Sequence, residues 1–216
     1  MKNYDYILFD LDGTLTDPAE GLVCGFEYAF KKLKVDYGER STLRRFIGPP
    51  LYEEWQRVFG FTPEESAAAI AIFREYYDIY GWWDNRPYDG IHKMLAELRA
   101  RGKKLAVATS KPEDTAKRVL NLFDLTQYFD FIGGALRSTA RDKKIDVINY
   151  VLDNLGVSDR RGVVIVGDRR FDAEGAALAG IDAVGVLWGH GSRDEILASG
   201  FSGVVEHPAE LCEMLK

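Results

Sequence analysis

Cysteine is scarce in this chain. Cys24 and Cys212 are the only two among 216 residues, and they lie far apart without CxxC spacing. That excludes a disulfide scaffold and offers no cysteine-based metal site. The three histidines, His92, His190 and His207, are scattered without ligand spacing, and no chemistry is assigned to them. No dense run of Lys or Arg occurs and the net charge is -6, which argues against a nucleic-acid polymer as ligand. A small anionic substrate is not excluded, because a local site can be positive on an acidic protein. There is no apolar run of membrane-spanning length. The opening Met1-Lys2-Asn3-Tyr4-Asp5-Tyr6 has no apolar segment ending in a cleavage site. No internal repeat or low-complexity linker is visible. The expectation is a cytoplasmic protein without membrane contact, a monomer or a small homo-oligomer.

What is present suits a large core, since 46% of the residues are hydrophobic. Five apolar runs read as buried strands: Tyr6 to Phe9, Lys104 to Ala108, Phe129 to Gly133, Val163 to Val166 and Ala183 to Leu187. Their β-branched content and near-continuous apolarity fit a parallel sheet covered on both faces. Between them, Ile91, Met94, Leu95 and Leu98 repeat at helical spacing, as do Ala116, Val119, Leu120 and Phe123, and Ile145, Ile148, Val151, Leu152 and Leu155. Strand and helix in alternation predict a doubly wound, Rossmann-like α/β sheet. Pro112 sits just inside a helix start, Ser192 and Glu195 form a capping-box pattern, and Gly102 and Gly156 fall where helices should stop.

One segment breaks the alternation. From Pro18 to Asn85, about 68 residues, helical patterns occur and no convincing strand, and this is too long for a connecting loop. Leu22, Phe26, Ala29, Phe30 and Leu33 make one apolar face, and Thr62-Pro63-Glu64-Glu65 is a capping box that opens a long helix. The expected organisation is an α/β core of residues 1–16 and 86–216 with an inserted all-α cap of residues 17–85.

The chemistry-bearing residues gather at strand ends. Phe9-Asp10-Leu11-Asp12-Gly13-Thr14 follows the first strand. Alternation along an extended chain sends residues i and i+2 to the same side, so both carboxylates can face one site. Removing them from water costs several kcal/mol unless a partner compensates, on the order stated for buried ions. A divalent cation is the natural partner. Thr109-Ser110-Lys111-Pro112 follows the second strand, the pair Lys143-Lys144 opens a helix, and Gly167-Asp168-Arg169-Arg170-Phe171-Asp172 follows the fourth strand. In a parallel sheet these ends converge on one edge, where open α/β sheets bind ligands. Several carboxylates, two hydroxyls and a lysine around one hollow fit a Mg²⁺ site completed by a substrate phosphate.

Asp10-x-Asp12-Gly13-Thr14, a strand ending in Thr109, a lysine before a helix, and Gly167-Asp168-x-x-x-Asp172 resemble the four motifs of the haloacid dehalogenase superfamily of phosphatases. The resemblance covers essentially the whole chain, and the helical insertion is similar to that family's C1-type cap. Phosphoglycolate phosphatase-like and 5′-nucleotidase-like members are the nearest in style, with β-phosphoglucomutase-like ones beside them. The resemblance implies a Mg²⁺-dependent phosphatase acting on a small phosphorylated metabolite. It makes Asp10 the nucleophile that forms an aspartyl-phosphate and Asp12 the acid and base. It assigns the metal to Asp10, the backbone carbonyl of Asp12 and Asp168, with Asp172 supporting the metal shell directly or through water. Thr109 would bind the phosphoryl group, and Lys144 would neutralise charge on it and on the nucleophile. Lys144 is preferred to Lys143 because relatives place the lysine two residues before a helix-opening Asp, here Asp146. Substrate contacts fall to Gly13, Ser110 and Arg45.

Plainer readings stand beside these. Ser110 can cap the helix after Pro112, and Arg45 can end a solvated helix. Arg169 can be a structural ion-pair partner. Tyr76, Tyr77, Tyr80, Trp82 and Trp83 can stack a nucleobase or fill the cap core and its rim. A sugar-phosphate mutase uses the same aspartyl-phosphate and is the nearest alternative activity. A catalytically retired scaffold that binds phosphate or a partner protein is the alternative outside enzymes. A dehalogenase or phosphonatase is disfavoured, since neither needs an acid at position 12.

Overall fold

The computed structural model describes residues 3–137 and 141–215. In chain order the strands are β1 (Tyr6–Phe9), β2 (Thr16–Asp17), β3 (Arg86–Pro87), β4 (Lys104–Pro112), β5 (Phe131–Ala135), β6 (Val163–Gly167), β7 (Asp182–Val186) and β8 (Gly203–Val205). The helices are α1 (Ala19–Leu33), α2 (Leu51–Phe59), α3 (Pro63–Tyr76), α4 (Ile91–Ala100), α5 (Glu113–Leu122), α6 (Lys144–Asn154), α7 (Arg170–Ala179), α8 (Arg193–Ala198) and α9 (Pro208–Met214). Two compact units result, one of Met1–Asp17 with Pro87–Lys216 and one of Pro18–Arg86.

The first unit is built on a six-stranded parallel sheet of order β5-β4-β1-β6-β7-β8. Central strands buried on both faces must be apolar throughout, and Ile7, Leu8 and Phe9 of β1 are fully buried. One face is sealed by α6 and α7, whose Val147, Ile148, Val151, Ala173 and Ala176 pack on Leu8, Ala106 and Ile165. From β1 the chain moves outward through β4 to β5, then returns to the other side of β1 for β6. The carboxyl ends of β4, β1 and β6 therefore meet where the winding reverses, the ligand-binding edge of such sheets.

The five expected strands are present, the first with its expected ends and the others shifted. The second continues past Ala108 to Pro112, and the third begins at Phe131, after a 3₁₀ turn over Thr126–Tyr128. A sixth, β8, was not expected. It has three residues and, among the described residues, pairs only with β7, too short a run to show a period. Pro112 is not the first helical residue but the one before it, because it still belongs to β4. Gly102 and Gly156 follow α4 and α6 with φ of +79° and +67°, the left-handed turn that ends helices. The Ser192 hydroxyl accepts from Glu195 N at 3.1 Å. The Glu195 carboxylate takes Arg169 Nε at 2.9 Å.

The second unit is helical. α1, α2 and α3 enclose an aromatic core in which Trp55 is fully buried and the Phe26 and Phe73 rings stack 5.2 Å apart. The Thr62–Glu65 box is complete, with both reciprocal hydrogen bonds formed. After α3 the backbone widens into a π-helical turn, Tyr77–Gly81. The aromatics divide here: Tyr77 is buried, whereas Tyr80 and Trp83 are exposed and, with Tyr76 and Asp84, line an open hollow of about 600 Å³.

Candidate active site

Asp10 is the first residue beyond β1, and its N–H donates to Val166 O of β6 at 2.9 Å. The chain then turns sharply, with the N–H groups of Thr14, Leu15 and Thr16 all directed to Leu11 O. Gly13 makes this turn possible. Its φ is +84°, and a Cβ there would stand 2.2 Å from Asp168 Oδ2. No other residue meets both conditions.

Asp168 follows β6 and Asp172 lies in the first turn of α7. Oxygens of Asp10, Asp168 and Asp172 lie within 4.8 Å of one another. Asp168 and Asp172 are fully buried. Asp168 Oδ2 accepts from His190 N at 2.8 Å and Oδ1 from the Thr14 hydroxyl at 3.2 Å. Asp172 Oδ2 accepts from Arg169 N at 3.1 Å. Burial, reinforced by the charges of Asp172 and Asp10, pushes the Asp168 carboxyl up to about 8. Burial also raises Asp172, and the Lys144 ammonium opposes the rise.

Lys144 opens α6 and is buried. Its Nζ stands 3.0 Å from Asp10 Oδ1, 2.7 Å from Asp172 Oδ1 and 3.1 Å from Ala108 O. Burial alone would lower its pKa, but the two carboxylates outweigh burial and hold it above the usual lysine range. Lys143 is the exposed residue that precedes the helix.

Asp12 takes a different partner. Lys111 Nζ donates to its Oδ1 at 3.0 Å and its Oδ2 at 2.8 Å. Thr109 is buried at the same edge, and its Oγ1 accepts from Lys111 N at 3.2 Å. Ser110 is exposed, and among the described residues no side chain caps the N-terminus of α5. Arg45 belongs to the helical unit, where its guanidinium lies over the Phe46 ring at 4.8 Å. The structure thus gathers Asp10, Gly13, Lys144, Asp168 and Asp172 at one point and pairs Asp12 with Lys111 beside Thr109.

The sequence reading passed over three contributors. Lys111 appeared only as a letter between Ser110 and Pro112. His190, in the loop after β7, gives its N–H to Asp168, and its Nε2 stands 3.3 Å from Asp17 Oδ1. Trp188 Nε1 donates to Thr14 O at 3.0 Å and braces the turn. The available signal was position: Trp188-Gly189-His190-Gly191 also follows a strand of the sheet.

Three carboxylates meet at the centre, of which Asp168 and Asp172 are fully buried, and one ammonium, Lys144, pairs with Asp10 and Asp172. The neighbouring donors are oxygen only, with no thiol or ligating imidazole among the described residues. This set fits a hard divalent cation such as Mg²⁺.

Comparison with known proteins agrees with the geometry. A family profile for haloacid dehalogenase-like hydrolases matches residues 7–186. The chain is 41% identical over 208 residues to a protein named tyrosine-protein kinase PtkA from Mycobacterium tuberculosis, covering 96% of this chain and 70% of the other. It is 37% identical over 195 residues to a 5′-nucleotidase of Pseudomonas aeruginosa, covering 90% and 88%. The crystal structure of a predicted phosphatase from Clostridium acetobutylicum superposes with a TM-score of 0.94 at 36% identity, covering 99% and 98%. The chain belongs to the haloacid dehalogenase-like hydrolase family, on its phosphatase side.

Proposed function

We propose that this protein is a Mg²⁺-dependent hydrolase of small phosphate monoesters that works through an aspartyl-phosphate on Asp10. The observation that carries the reading is the separate partnering of two carboxylates two residues apart. Asp10 faces Lys144, Asp168 and Asp172, while Asp12 faces Lys111. One carboxylate is thereby fitted to attack and the other to exchange protons.

In the first half-reaction an Asp10 oxygen attacks phosphorus, the ester P–O bond breaks, and the departing alkoxide takes a proton from the Asp12 carboxyl. In the second, water attacks the same phosphorus and gives a proton to the Asp12 carboxylate. The bond from phosphorus to Asp10 breaks, inorganic phosphate leaves, and Asp10 is restored. Thr109, Ser110 and Gly13 would hold the phosphoryl oxygens, and Lys144 would oppose their charge. Asp10, Asp168, Asp172 and the Asp12 carbonyl would hold Mg²⁺, which when bound supplies positive charge for the phosphoryl oxygens. Choice of leaving group is assigned to the helical unit, with Arg45 and the hollow of Tyr76, Tyr80 and Trp83 as its candidates.

The test is phosphate release from nucleoside 5′-monophosphates, phosphoglycolate and sugar phosphates, with Mg²⁺ and with chelator. Nucleoside 5′-monophosphates lead the panel because of the 37% identity to a 5′-nucleotidase. Release that depends on Mg²⁺ and falls at least about a thousandfold in Asp10→Asn is the expected result. Retained turnover in that variant would sink the mechanism.

A second reading is favoured by the 41% identity to a protein named as a tyrosine kinase. There the phosphoryl group passes from Asp10 to a tyrosine hydroxyl instead of to water. Labelled ATP separates the two readings, since label would appear on tyrosine rather than in inorganic phosphate.

A further inference from the structure

Lys111 comes to Asp12 by an irregularity in the sheet. β4 and β5 pair in register from Ala106↔Phe131 to Thr109↔Gly134, and the next pair is Pro112↔Ala135. β4 therefore advances three residues where β5 advances one. Such bulges re-aim side chains beside active sites. Gly134 leaves room for it, since a Cβ there would stand 2.7 Å from Lys111 O and 2.6 Å from Glu113 Cα, both backbone atoms. Ser110 is turned out to solvent and Lys111 is turned in, with its side chain only 3% exposed.

A lysine so placed is held for a reason, because a buried ammonium needs compensation. Its Nζ engages both oxygens of Asp12, which fixes the plane of that carboxylate as well as its position. Lys144 is already committed to Asp10 and Asp172, so the two lysines serve different carboxylates. Lys111 also ties this pair to the phosphoryl-binding candidate, since its own N–H donates to Thr109 Oγ1.

We infer that Lys111 is a positioning residue for the acid–base carboxylate Asp12, and that proton transfer to the leaving group depends on it. The inference rests on the phosphatase reading. It separates esters by their need for a proton. An alkyl phosphate leaves as a strongly basic alkoxide and requires one, whereas p-nitrophenyl phosphate leaves as a stable phenolate and does not.

The test compares Lys111→Met with the unsubstituted protein on an alkyl phosphate and on p-nitrophenyl phosphate, with phosphoenzyme formation read from the burst of nitrophenolate. The expected result is a loss in kcat of about ten- to a hundredfold on the alkyl ester, with KM altered less than about threefold. The nitrophenolate burst rate should change less than about threefold. In Asp12→Asn, adding Lys111→Met should cost less than about twofold more, because a residue acting through Asp12 has nothing left to act on. Circular dichroism checks folding, and Lys111→Gln carries the same comparisons where the Met variant does not fold. Equal losses in the rate of phosphoenzyme formation from the two esters overturn the inference, as does a full Lys111 effect persisting in Asp12→Asn. A raised KM with kcat unchanged also overturns it, since Lys111 would then be holding substrate. If the unsubstituted protein releases phosphate from neither ester, the phosphatase reading fails first and takes the inference with it.

Discussion

Replacing Asp168 by asparagine is expected to stabilise the metal-free protein at neutral pH while abolishing turnover. Asp168 is fully buried beside two other carboxylates, and burial with those charges lifts its pKa from 3.8 to about 8. A carboxyl whose pKa rises on folding takes up a proton. Its contribution is therefore fully present below about pH 4 and is lost as the pH climbs through 8. At pH 7.5 the rise from 3.8 spans almost four units, which at 1.36 kcal/mol per unit is about 5 kcal/mol. Relaxation and water entry reduce such penalties in real proteins, so a gain of about 2 kcal/mol is expected, or roughly 4–8 °C for a chain of this size.

Asparagine suits the comparison because both contacts survive. Its carbonyl can accept from His190 N, and its amide can donate to the Thr14 hydroxyl, the two partners Asp168 now has. The assay is thermal unfolding in chelator from pH 4.5 to pH 8. The gap between the proteins should be widest at the alkaline end and close toward pH 4.5. An asparagine variant less stable than the unsubstituted protein at pH 7.5 would refute the reasoning, as would a gap independent of pH.

Other outcomes follow from the same contacts. Mg²⁺ should raise the melting temperature of the unsubstituted protein, by about 2.7 kcal/mol of stability at a hundred times its Kd, and should barely move Asp168→Asn; equal shifts in both would contradict a site at Asp10, Asp168 and Asp172. Burial alone would raise the pKa of Asp130, but Leu105 N–H, Lys104 and Arg99 hold it below the usual carboxylate value. Its stabilisation is thus present above pH 4 and is lost as the pH falls through the lowered value, so Asp130→Asn should cost about 1–2 kcal/mol at pH 7 and much less near pH 2, read from urea midpoints. Trp55→Ala empties the centre of the helical unit, where the ring meets Phe26, Phe30 and Phe73, and should cost about 3–5 kcal/mol in denaturant unfolding.

The sheet was readable because central parallel strands are apolar on both faces, and nothing else in the chain combines that with strand length. Asp10, Thr109 and Asp168 were readable for a related reason. Asp10 and Asp168 directly follow such strands, and Thr109 is the last residue of β4 to pair in register before the bulge, so finding the strands located the candidate site. Asp172 and Lys144 required one helical turn more; Lys144 is buried against Asp10 and Asp172, whereas Lys143 precedes the helix and faces solvent. β8 was not readable: with three residues on one neighbour, it owes its form to β7 rather than to its own pattern. His190 escaped because it contributes a backbone N–H to Asp168, and the identity of a side chain carries no mark of that.

Lys111 escaped for a more instructive reason. Sequence periodicity assumes that facing strands advance together, and at Thr109 they do not. A bulge is a relation between two strands, fixed here by the absence of a side chain at Gly134 and the backbone of Lys111 and Glu113 lying over it. No window along β4 alone contains that information. The consequence reaches the chemistry. Two carboxylates two residues apart on an extended chain repel one another wherever both are charged, and one shared cation would leave them to compete for it. The straight part of β4 lends its Ala108 carbonyl to Lys144, which serves Asp10, while the bulged part delivers Lys111 to Asp12. One strand thus helps to set two separate electrostatic environments. A chain with the same motif letters but a larger residue at Gly134 should keep the cluster of Asp10, Asp168 and Asp172 and lose the second environment. Gly134→Val should therefore leave Mg²⁺-induced stabilisation close to that of the unsubstituted protein while cutting kcat on alkyl phosphates. Loss of both together would mean that the bulge supports the whole site rather than Asp12.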